Sequence, residues 1–211
     1  GPGRSSGNTD TDNLRRPAES FVYGDEVFVA DGYGNRRVIV LDAETGAFKR
    51  MWGAFANEPL EADLAPETPA DAPLGSPQFG IVHGIEVSRD GLVYVADRGN
   101  SRIQVFTLDG EYTTQGFVNR GAESASTTAG LAFSPDAEQR FIYAADQGNS
   151  LIHVVDRRTL EVLDSFRQRL HMTEHHCGSC WNTHGMGTIH HIKPFIRRTL
   201  VWAYFKANIV Y

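Results

Sequence analysis

Between Glu26 and Asp42, an apolar run in "EVFVAD" stops at Asp31, crosses "GYGN", and is followed by a second apolar run in "RRVIVLD". A period of two in β-branched and aromatic residues predicts two strands, and a turn rich in Gly and Asn predicts that they pair antiparallel. The pattern returns twice, as "LVYVADRGNSRIQVFTLDG" and as "FIYAADQGNSLIHVVDRRT". A further strand precedes each copy ("ESFVYGD", "GIEVSRDG", "GLAFSPDAE") and another follows it. Each unit therefore predicts four strands. The units fall at about 17–53, 80–118 and 128–167.

Four-stranded units repeated along a chain are blades of a β-propeller. The predicted fold class is all-β. Three blades do not close a ring, so the expectation is a partial propeller belonging to a larger one. Residues 55–79, rich in Pro, Ala and acid, separate the first two units and read as a long surface loop. Within the units, Asp31, Asn35 and Arg37 recur as Asp97, Asn100 and Arg102. The third unit keeps Asp146 and Asn149 but has Leu151 where the others have Arg. A carboxylate facing an Arg fork can lock a turn and tie neighbouring strands, so these positions are read as structural. His153, mid-strand in "LIHVVD", reads as a packing or outward-facing residue.

Composition narrows the partners. The chain has 211 residues, 41% of them hydrophobic, enough for one domain with a real core. Its net charge of −6 argues against a nucleic-acid or anionic-membrane surface. No run approaches the ~18 apolar residues of a membrane span. Beyond Phe166 the pattern breaks. Residues 168–211 hold six of the eight histidines and both cysteines, with no further blade unit. His171, His175, His176, Cys177 and Cys180 have zinc-ligand chemistry, but the second half of a zinc site is missing. The segment reads instead as a non-propeller tail, joined out of frame or disordered.

In an antiparallel blade, the start of strand one and the end of strand two lie at the same end. Tyr33 and Arg98 follow second strands, and His83 precedes a first strand. The three are therefore expected on one rim of the propeller, a place where ligands bind.

The unit D-x-G-N-x-R-[I/V]-x-V resembles the NHL repeat. The order "ADGYGNRRVIV", "QFGIVHGI", "VADRGNSRIQVF" further resembles the propeller of the peptidyl-α-hydroxyglycine α-amidating lyases. That resemblance implies a six-bladed ring, Tyr33 as catalytic residue, His83 as one of three zinc-ligating histidines and Arg98 as a substrate-binding arginine. It implies zinc in the site, a structural calcium nearby, and release of an amide and glyoxylate from a carbinolamide. A phenol acts as base once a metal and a guanidinium favour phenolate, and an arginine clamps a carboxylate. It also favours an extracellular or periplasmic setting. The other two zinc histidines of the family fall outside these blades, so the chain is expected to be inactive as a lyase by itself. The alternative is a non-catalytic NHL propeller binding a protein, peptide or glycan across its rim. A sugar-lactone hydrolase is disfavoured, because no convergent set of carboxylates is visible.

Overall fold

A computed structural model describes residues 5–61, 67–69, 71–124 and 126–167. The tail from 168 onward, with its cysteines and six histidines, lies outside the described residues. The rest forms three four-stranded antiparallel sheets, each built from consecutive strands. Blade 1 comprises β1 (Glu19–Tyr23), β2 (Glu26–Asp31), β3 (Arg37–Asp42) and β4 (Phe48–Trp52). Blade 2 comprises β5 (Val82–Val87), β6 (Leu92–Asp97), β7 (Arg102–Thr107) and β8 (Tyr112–Phe117). Blade 3 comprises β9 (Gly130–Phe133), β10 (Phe141–Asp146), β11 (Leu151–Asp156) and β12 (Val162–Arg167). The innermost strands β1, β5 and β9 are neighbours in space. The architecture is a partial β-propeller. None of its described helices is long and apolar enough to cross a membrane.

Alternation along the strands serves both faces of each blade. In β6, Val93 and Val95 join Phe28, Val38 and Ile85 between blades 1 and 2. Tyr94 and Ala96, on the other face of β6, join Leu131, Ile142 and Val155 between blades 2 and 3. A strand buried on both faces must be apolar at nearly every position, which is why the second and third strands read as continuous hydrophobic runs.

Buried ion pairs join the blades to the chain entering them. Arg37 and Asp31 are fully buried, with Nε to Oδ2 at 3.0 Å. The remaining N–H groups of Arg37 reach the carbonyls of Asn8, Asp10 and Asn13. In blade 2, Arg102 meets Asp97 at 2.8 Å and donates to the carbonyls of Leu74 and Gln78. Each guanidinium thus pins the segment that leads into its blade, a longer reach than locking a turn. Blade 3 has a different solution. Leu151 is paired in register with Asp146 where Arg would stand. His153, two residues on and 2% exposed, turns Nε2 to the Asp146 carboxylate at 3.0 Å and Nδ1 to Ser165 Oγ at 2.6 Å. His153 is therefore buried rather than outward-facing, and beyond packing it takes the place of the missing arginine.

Candidate functional site: a Tyr–His–Arg cluster on one rim

Three loops converge at one end of the blades. Tyr33 lies between β2 and β3. Arg98 opens a 3-10 turn (Arg98–Asn100) after β6. His83 sits inside β5, because that strand begins at Val82, earlier than the "GIEVS" pattern suggests. The pairing of β5 with β6 slips there: Val82 faces Asp97 and Gly84 faces Ala96, leaving His83 as the extra residue of a β-bulge. A bulge re-aims a side chain that strict alternation would point elsewhere.

Glycines permit the loops to close on one another. A Cβ at Gly32 would lie 1.9 Å from the carbonyl oxygen of Val82, so only Gly lets the Tyr33 loop reach β5. Gly80 and Gly99 are pressed together in the same way. Their contact seats the 98–100 turn, whose Arg98 N–H donates to the Ile81 carbonyl at 2.9 Å.

The result is a connected cluster. Tyr33 Oη lies 2.8 Å from His83 Nε2 and accepts from Arg98 Nη1 at 3.3 Å. The rings of Tyr33 and His83 meet edge-on, with centroids 5.3 Å apart. His83 Nδ1 lies 2.5 Å from the Ala129 carbonyl, at the entry to blade 3. A carbonyl only accepts, so Nδ1 carries the proton and Nε2 of the neutral ring is the acceptor. Tyr33 therefore donates to His83 while accepting from Arg98. Burial holds His83 below the ordinary imidazole value, and the charge of Arg98 adds to this against the opposing Ala129 carbonyl. The ring is neutral at pH 7.

Arg98 retains binding capacity. Its Nε is buried without a partner, and no carboxylate pairs with it among the described residues. Other blade arginines are paired, Arg37 and Arg102 with buried aspartates. A groove of about 680 Å³ between blades 2 and 3, at the opposite rim, is lined by Tyr94, Arg140 and Arg157. There Arg157 is held bidentately by Asp90 at 2.6 and 3.0 Å.

The three rim residues are thus brought together, one from blade 1 and two from blade 2, resting on blade 3. Sequence reading placed them on a rim but missed the bulge at His83 and the Ala129 carbonyl. Its only trace in the sequence was the pair His83-Gly84 at a strand start. Among the described residues no group of three or more His, Cys, Asp or Glu side chains could hold a metal. Register explains why. Gly84, Glu19 and Gly130 are equivalent, opposite Ala96, Ala30 and Ala145. The counterparts of His83 in the other blades are therefore Ala18 and Ala129.

Comparison with known proteins agrees with the blade grammar. Residues 79–106 match the NHL repeat. Human NHL repeat-containing protein 3 is 29% identical over 161 residues, covering 73% of this chain and 39% of the human protein. Two solved structures share the fold at 17% identity. Hydrazine synthase of Kuenenia stuttgartiensis gives a TM-score of 0.51, over 77% of this chain and 39% of its own. A putative 6-phosphogluconolactonase of Bacteroides uniformis gives 0.52, over 74% and 43%. The chain spans less than half the length of each of these proteins.

Proposed function

We propose that this NHL-repeat propeller segment recognises a carboxylate-bearing ligand, a peptide or small molecule, at the Tyr33–His83–Arg98 rim. The observation that carries the reading is Arg98. It is fixed by its backbone bond to Ile81, touches the Tyr33 hydroxyl, and has no carboxylate of its own among the described residues. A half-buried guanidinium in that state binds an incoming carboxylate strongly, because both charges are partly removed from water. Tyr33 and His83 supply a polar wall whose proton positions are already set, which lowers the cost of ordering on binding.

The test is calorimetric titration of the chain with a short peptide ending in a free carboxylate and with the same peptide amidated. The free acid should bind about tenfold tighter or more, and Arg98→Gln should erase the difference. Equal binding of the two peptides would overturn the reading.

A second reading, the lyase-like one, is favoured by the His83 tautomer, which leaves Nε2 as the only lone pair of the ring. Zinc bound at such a site would supply Lewis-acid chemistry. The described residues do not make that centre, since His83 is the imidazole beside Tyr33 and Arg98, and His153 is turned to Asp146 and Ser165. The chain is therefore expected to release no glyoxylate from a peptidyl-α-hydroxyglycine. Any zinc or calcium it carries should be unchanged by His83→Ala, measured by elemental analysis after dialysis. Turnover that depends on added zinc, and is lost with Tyr33→Phe, would reinstate the lyase reading for this chain.

A further inference from the structure

We infer that the ligand of this rim is an acidic peptide segment, whose side-chain carboxylates engage Arg15 and Arg16 while its terminal carboxylate meets Arg98; this rests on the carboxylate reading above. Arg15 and Arg16 belong to the segment leading into β1 and are exposed. That segment is stitched to the Tyr33 loop. The Tyr33 N–H donates to the Arg16 carbonyl at 3.3 Å, and the Arg15 N–H donates to Asp31 Oδ1 at 2.9 Å. The Arg15 stem crosses Gly34, where a Cβ would lie 2.3 Å from Arg15 Cγ. Arg15 is therefore within one residue of Tyr33 in space.

Arg16 also holds a left-handed backbone conformation, with φ at 58°. A residue with a Cβ adopts it only where its surroundings impose it, and here it turns the Arg16 carbonyl toward Tyr33. Neither Arg15 nor Arg16 pairs with a carboxylate among the described residues. The nearby acids are engaged otherwise. Asp31 is held by Arg37, Asn35 and the Arg15 N–H. Asp10 accepts the backbone N–H groups of Ser6, Asp12 and Asn13. Asp12, exposed, makes no ion pair with either arginine. A chain of net charge −6 thus gathers three unneutralised guanidiniums in one loop cluster. Such a patch steers and orients an anionic partner. A peptide C-terminus suits it because one chain supplies both the terminal carboxylate for the Tyr33–Arg98 corner and acidic side chains for the exposed pair.

The experiment uses the 211-residue chain and three fluorescent peptides: one with two Glu near a free C-terminus, one with Gln in their place, and one with Glu and an amidated end. Binding is read by anisotropy at low and high salt, with circular dichroism to confirm folding. The Glu peptide should bind about fivefold tighter than the Gln peptide at low salt. High salt should remove that increment, as should the double substitution Arg15→Gln and Arg16→Gln. Arg15→Lys with Arg16→Lys should retain it. Equal binding of Glu and Gln peptides, with the free-acid preference intact, would overturn this inference and leave the rim reading standing. A sulfated oligosaccharide binding more tightly than the Glu peptide, and lost in the same double variant, would overturn it in favour of a glycan. Equal binding of all three peptides would defeat the rim reading itself, and this inference with it.

Discussion

Gly32 lies directly against the backbone of Val82, so that a side chain at position 32 would begin 1.9 Å from the Val82 carbonyl oxygen. This contact brings the Tyr33 loop of blade 1 onto the bulge of blade 2. Gly32→Ala cannot be accommodated without moving one backbone away from the other. It should separate Tyr33 from His83 and destabilise the protein by ~1–3 kcal/mol, the range for forced overpacking. Urea unfolding measures the loss. Imidazole NMR of His83 shows whether the Tyr33 contact has gone, and an unchanged His83 signal would count against the close approach.

The neutral state of His83 predicts a particular pH dependence. Burial and Arg98 depress its value in the fold, so the unfolded chain binds more protons below the ordinary imidazole value of about 6.5. The stability associated with neutral His83 is complete above that pH. It declines as pH falls from there through the lowered folded value. Arg98→Gln removes the neighbouring charge and should shift the His83 titration upward, toward the ordinary value. NMR titration of the two proteins decides this, and a downward shift would contradict the assigned cause.

Much of the fold was legible because the repeat states it three times. Strand number, the turn residues and the Ala-Asp strand ends all follow from period-two patterning and Gly-Asn turns. The candidate site was legible only as a shared rim. Contact between Tyr33 and His83 depends on a one-residue bulge, and a bulge changes register without changing composition. The bond from His153 to Asp146 was missed for a related reason. Its role depends on facing Asp146 from two residues beyond the position where the repeat puts Arg. The pattern marked the loss of the arginine but not its replacement.

That replacement predicts unequal blades. Arg102→Met leaves Asp97 fully buried and without its cation, a change that costs ~3–5 kcal/mol. The double variant with Asp97→Asn should be less destabilised, because the stranded charge is gone. In blade 3, His153→Leu removes one partner, while Asn119 and Asn149 still donate to Asp146. Its cost should be smaller, ~1–3 kcal/mol. Burial pushes the Asp146 carboxyl up, but the bonds from His153, Asn119 and Asn149 outweigh it and hold the group below the usual carboxylate range. Its contribution is therefore present above about pH 3.9 and is lost as pH falls through the lowered folded value. His153→Leu should weaken that acid limb specifically, since one of the bonds favouring the ionised form is removed. Urea unfolding of the four proteins at pH 7 and at pH 3 gives both rankings. A blade-3 variant as damaging as Arg102→Met would show that His153 carries the full weight of the missing arginine.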